Sequence, residues 1–132
     1  MKKKILCLVD DDDVYQYTFL RQLKGTDFAK DILLFSDGEL AMEFIETHIN
    51  NVELLPDIIF LDINMPIMDG WEFLEEFVQL KPKVGKEILI YMVSSSIDPA
   101  DIQRAKTIGD VSDYLIKPIV KEHVKAIIEE NV

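Results

Sequence analysis

Ile58-Ile59-Phe60-Leu61-Asp62-Ile63-Asn64-Met65-Pro66-Ile67-Met68-Asp69-Gly70 is the stretch from which the fold can be read. Its first four residues are apolar without alternation, the pattern of a strand buried on both faces. The run ends at a carboxylate, Asp62, and crosses a segment punctuated by Pro66 and Gly70. Beyond it, Phe73, Leu74, Phe77 and Val78 recur at helical spacing. A buried strand that leads through a short loop into an amphipathic helix is the repeating half of an α/β fold.

The same alternation extends in both directions. Continuous apolar runs at 5–9, 32–35 and 88–93, and a weaker one at 114–116, predict four further strands. Between them, Phe19, Leu20 and Leu23 share one face of a helix predicted over 14–24. Leu40, Ala41, Phe44 and Ile45 recur at helical spacing within 38–48, with Asp37 as N-cap. Asp98-Pro99 reads as N-cap followed by proline at the first helical position, opening a helix to about 107. Val124, Ile127 and Ile128 face inward from a last helix over 120–130. Five strands in strict alternation with five helices imply a doubly wound α/β fold. Its sheet is parallel, its crossovers are right-handed, and helices cover both faces. Ligands of such sheets bind at the carboxyl ends of the strands.

Bulk properties narrow the function. The 132 residues suit one domain, and a hydrophobic fraction of 48 % supplies a core. A net charge of −11 disfavours nucleic acid as a partner, and Lys2, Lys3 and Lys4 make no basic patch. No apolar run approaches the ~20 residues needed to span a bilayer. The short run after the lysines meets four aspartates at once, unlike a secretory leader. A single cysteine, Cys7, inside an apolar run reads as a core residue, and it suits a reducing cytoplasm.

Four strand ends carry the chemistry: Asp10-Asp11-Asp12-Asp13 after the first, Asp62 after the third, Ser94-Ser95-Ser96 after the fourth, and Lys117-Pro118 after the fifth. Taken singly, each has a plain reading: a solvated charge run that also caps a helix, a turn, a loop, an exposed lysine. Parallel strands bring all four to one edge of the sheet. Crowded carboxylates repel one another and are relieved by a divalent cation, and hard oxygen donors suit Mg²⁺. An aspartate can attack a phosphoryl group and hold it covalently, with charge neutralisation from a metal and a lysine.

With those residues in view, the chain resembles response regulator receiver domains, the family of the chemotaxis protein CheY, from about residue 4 to about 130. The segment 61–70 is the most specific part. The resemblance implies the strand order 2-1-3-4-5 and a single receiver domain over 1–132 with no output domain. It implies a phosphoacceptor at Asp62, metal contacts from Asp10, Asp11, Asp62 and the backbone carbonyl of Asn64, and Mg²⁺ as the cofactor. Ser94 and Lys117 match the hydroxyl and the ammonium that contact the phosphoryl group. Ser94 and Tyr114 match the switch pair, and the Lys117-Pro118 bond is expected to be cis. Asn64 and Ser96 fall where the family tunes phosphoryl lifetime. His48 and His123 stand away from the site.

The same resemblance implies a signalling domain that catalyses only its own phosphorylation and dephosphorylation. Its phosphodonor is a sensor histidine kinase or a histidine phosphotransfer protein, and its output goes to a downstream protein, with neither nucleic acid nor membrane as partner. A dehalogenase-type phosphatase would want an acid where Asn64 stands. A flavodoxin-type module would not place Asp10 to Asp13 against a flavin phosphate. A pseudo-receiver that only binds partners would be expected to lack Asp62 or Lys117.

Overall fold

The computed structural model describes residues 3–95 and 98–131. Its strands are β1 (Lys4–Val9), β2 (Ala29–Phe35), β3 (Ile58–Asp62), β4 (Leu89–Ser94) and β5 (Val111–Ile116). Its helices are α1 (Asp13–Leu23), α2 (Gly38–Thr47), α3 (Gly70–Leu80), α4 (Pro99–Thr107) and α5 (Lys121–Glu130). All four strand pairings are parallel, and the order is β2-β1-β3-β4-β5, as expected.

Alternate residues of the central strands feed two cores. Leu6, Leu8, Ile58, Phe60, Tyr91 and Val93 pack with Phe19 and Leu23 of α1 and Val124, Ile127 and Ile128 of α5. Cys7, Val9, Ile59, Leu61, Ile90 and Met92 pack with α2, α3 and Ala105 of α4. This two-sided burial is why those runs show no alternation. Cys7 lies in the second core as expected, and burial pushes its thiol well above the ordinary range, so it is not a reactive group.

The outer strands depart from the sequence reading. β2 begins at Ala29 and β5 at Val111, each three residues earlier than the apolar runs suggest. Edge strands have one neighbour and exposed positions, so Lys30, Asp31, Ser112 and Asp113 sit in them without apolar character. Leu40 and Val78, at the margins of their apolar stripes, stay 44 % and 42 % exposed. The last helix starts at Lys121 with Val120 as its cap, and two short 3₁₀ turns, Val52–Leu54 and Lys81–Lys83, have no clear sequence signal.

Aspartates start four of the five helices. Asp12, Asp37, Asp69 and Asp98 each accept backbone N–H groups of the first turn, and Asp69 forms a reciprocal capping box with Glu72. α5 has no side-chain cap of its own. Instead, Lys121 N–H donates to Gln22 Oε1 of α1 at 3.0 Å. The helix without an aspartate cap is thus tied to α1 at its first residue.

The loop after β3 contains one strained residue. Met68 N–H donates to Pro66 O at 2.7 Å, closing a three-residue turn whose centre, Ile67, has φ 68°. A β-branched residue is unfavourable there, and Ile67 is 72 % exposed, so packing offers little compensation. Ile67→Gly is therefore expected to raise unfolding stability by about 1 kcal/mol, measured by denaturant titration.

Candidate functional site

The carboxyl ends of β1, β3, β4 and β5 form one edge, and backbone bonds hold them in place. Asp10 N–H donates to Phe35 O at 3.0 Å, Ile63 N–H to Val93 O at 3.3 Å, and Lys117 N–H to Ser94 O at 2.9 Å. Gln16 of α1 adds a clamp, its Nε2 donating to Asp10 O at 2.7 Å and to Phe35 O at 2.9 Å.

Asp10, Asp11 and Asp62 converge there, with one carboxylate oxygen of each within 4.8 Å of the others. Asp10 is fully buried, Asp62 is 7 % exposed, and Asp11 reaches solvent. Asp10 Oδ1 accepts the Asp12 N–H at 2.9 Å. Asp10 Oδ2 faces the Lys117 ammonium at 2.6 Å, but the approach is not that of a well-directed hydrogen bond. Lys117 Nζ also lies 3.7 Å from Asp62 Oδ1. Among the described residues, the cluster of three carboxylates thus has one ammonium, shared between Asp10 and Asp62, an excess of two negative charges.

That excess shows in the protonation equilibria. Burial and then the Asp10 carboxylate push the Asp62 pKa up to about 6, against the opposing pull of Lys117. The Lys117 pKa is raised: burial alone would lower it, but Asp10 and then Asp62 outweigh that effect. In metal-free protein, folded Asp62 keeps a proton that the unfolded chain has lost between pH 3.8 and about 6. Stability from this group therefore falls as pH rises through that window. Asp62→Asn removes the effect, so the variant is expected to be more stable than wild type at pH 7 by about 1–2 kcal/mol, a figure discounted for the water that reaches the carboxylate. The difference should vanish near pH 3.5, as read from denaturation in chelator across that range.

The donor set fits a divalent cation. It is all oxygen, carries the matching charge, and includes a buried carboxylate oxygen without a well-directed hydrogen bond. Asn64 lies two residues beyond Asp62 at the same edge, exposed in the loop. Ser94 is 4 % exposed at the end of β4, next to β3, and Tyr114 lies half-buried in β5 against the second core. Ser96 lies outside the described residues. The Lys117-Pro118 bond is cis, as expected.

Tyr15 is in contact with Lys117, and its signal is positional: it stands four residues before the buried Phe19 and so on the inward face of α1. No described helix is long and apolar enough to cross a membrane.

Comparisons with known proteins agree with this arrangement. The family described as response regulator receiver domain matches residues 6–129. A probable methanogenesis regulatory protein, FilR2, of Methanothrix harundinacea is 29 % identical over 126 residues, covering 96 % of this chain and 79 % of that protein. A protein-glutamate methylesterase/protein-glutamine glutaminase of Caldanaerobacter subterraneus is 42 % identical over 89 residues, 62 % of this chain but 21 % of that protein. The chain thus corresponds to a fraction of that enzyme's length. The crystal structure of a two-component response regulator from Cytophaga hutchinsonii superposes with a TM-score of 0.86 at 27 % identity, covering 98 % of this chain and 97 % of that one. With its sheet order, its acidic edge and a match over nearly its whole length, the chain belongs to the response regulator receiver domain family of two-component signalling.

Proposed function

We propose that this receiver domain takes a phosphoryl group onto Asp62 from a phosphohistidine of a sensor kinase or phosphotransfer protein, and that the modified site changes a partner-binding surface. The observation that carries the reading is the setting of Asp62. Its carboxylate is part of an acidic cluster, with a lysine ammonium 3.7 Å away. With a pKa of about 6 it is mostly ionised at neutral pH and available as a nucleophile.

An Asp62 carboxylate oxygen attacks phosphorus, an O–P bond forms, and the N–P bond of the donor breaks, leaving its imidazole to take up a proton. Asp10, Asp11, Asp62 and the Asn64 carbonyl would hold Mg²⁺, which when bound neutralises charge on the transferring group. Lys117 turns from the carboxylates to a phosphoryl oxygen. Ser94 donates its hydroxyl to another, and Tyr114 follows Ser94 in a shift between pre-existing arrangements. The domain then acts as a signalling element whose only catalysis is on itself. Such a role belongs in the cytoplasm, where kinases and their ATP reside.

Intact-mass analysis after incubation with Mg²⁺ and acetyl phosphate tests the reading. One phosphate-sized gain is expected, lost when a chelator replaces the metal. No gain, together with no binding of Mg²⁺ or beryllofluoride, would refute it.

A further inference from the structure

Four contacts at the site close into a ring. Asp10 Oδ1 accepts the Asp12 N–H at 2.9 Å, and Asp12 Oδ1 accepts the Tyr15 N–H at 3.1 Å. The Tyr15 ring lies under the Lys117 ammonium, 4.7 Å from its centroid, and Lys117 returns to Asp10 at 2.6 Å. A separate bond ties the same tyrosine to the segment after the lysine, for Ile119 N–H donates to Tyr15 Oη at 3.2 Å. Ile119 itself is buried in the first core, so that segment is anchored from both sides.

We infer that Tyr15 is a positioning residue for Lys117: its ring face holds the ammonium over Asp10 and Asp62, and its hydroxyl fixes the backbone that follows. The inference rests on the receiver reading for its kinetic consequence, but the contact itself does not. Lys117 has a compact charge on a flexible four-carbon stem. Asp10, nearer and fully buried, would hold that charge in a two-body pair. To serve a phosphoryl group on Asp62, the ammonium must leave Asp10 without swinging into solvent. An aromatic face attracts a cation over a broad area and takes no proton from it, so it can retain the ammonium while its carboxylate partner changes. With Tyr15 accepting from Ile119 and Gln22 from Lys121, the first residue of α5, α1 provides acceptors for two backbone N–H groups of the stretch that leads from the lysine into that helix.

The two functions of the side chain can be separated. Tyr15→Phe keeps the ring and loses the acceptor, while Tyr15→Leu loses both. The first measurement needs no phosphodonor: the Lys117 side-chain methylene resonances beside the ammonium. They are expected upfield in wild type and Tyr15→Phe, through the ring current, and at ordinary positions in Tyr15→Leu. The second is the rate of phosphate-mass gain with acetyl phosphate and Mg²⁺. Tyr15→Leu should be slowed about tenfold at saturating donor, as loss of a partly desolvated cation–π contact implies, and Tyr15→Phe should stay within about threefold of wild type. Unshifted Lys117 resonances in wild type would overturn the inference, as would a Tyr15→Leu variant that phosphorylates at the wild-type rate. If wild type itself takes no phosphoryl group, the receiver reading fails and the resonances alone decide the positioning. They also decide it if Tyr15→Leu does not fold, because wild type and Tyr15→Phe suffice.

Discussion

Gly70→Ala is expected to destabilise the domain by about 3 kcal/mol, lowering the thermal midpoint by about 10 °C. The glycine is required by close approach. A Cβ at this position would stand 2.6 Å from the carbonyl oxygen of Asp62, 3.1 Å from Ile63 Cα and 3.1 Å from Met92 Cε. Two of these are backbone atoms of the strand end that carries Asp62, and they cannot yield as a side-chain tip can. The Gly70 N–H also donates to Ile63 O at 2.9 Å, tying the start of α3 to the end of β3. Relief of the clash would stretch that bond or displace Asp62, so the rate of phosphate-mass gain should fall along with stability. Gly109→Ala is the control: nothing lies within 4 Å of its added Cβ, and its stability should change little.

Lys117→Ala is expected to cost about 2–4 kcal/mol at pH 7, because it leaves the buried Asp10 carboxylate facing Asp62 without a cation. The pH dependence has a definite sign. Because the Lys117 pKa is raised in the folded protein, its contribution in wild type is complete at neutral pH and is lost only in the alkaline range. In the variant the repulsion is relieved from the acid side. Asp62 already titrates near 6 with the lysine present, and it takes a proton more readily without it. The deficit should shrink as pH falls below that value, and at pH 7 millimolar Mg²⁺ should restore part of it by linkage. Denaturant titrations of wild type and variant at pH 5 and pH 7, with and without the metal, read all of these effects. A deficit that is independent of both pH and metal would mean that lost packing of the lysine stem, and not charge, is responsible.

The central sheet is legible in the sequence because burial on both faces leaves an unbroken apolar signature, as at residues 58–61. The outer strands are only half legible. Ser112 and Asp113 satisfy their backbone in β5 while their side chains stay exposed, and nothing in their identity marks them as strand. Helix starts are readable where an aspartate does the capping. The start of α5 is placed to within one residue by its apolar spacing alone, for it has no capping aspartate and its first N–H is satisfied by Gln22, ninety-nine residues earlier in the chain. The acidic run shows the same limit. Four adjacent aspartates look alike in sequence, yet Asp10 is a buried partner of Lys117, Asp11 joins the cluster from solvent, and Asp12 caps α1. Tyr15 is the residue at the site hardest to find from sequence, because its partners, Lys117 and Ile119, are remote in the chain and meet it only once α1 has docked on the first core.

The most direct test of the account is chemical identification of the acceptor. Protein treated with acetyl phosphate and Mg²⁺ is reduced with borohydride, which converts an aspartyl phosphate to homoserine, then digested and sequenced by mass spectrometry. Homoserine is expected at position 62 alone, absent from the Asp62→Ala variant and from protein kept in chelator. Homoserine at position 10 or 11, or a phosphate-sized gain that survives Asp62→Ala, would contradict it.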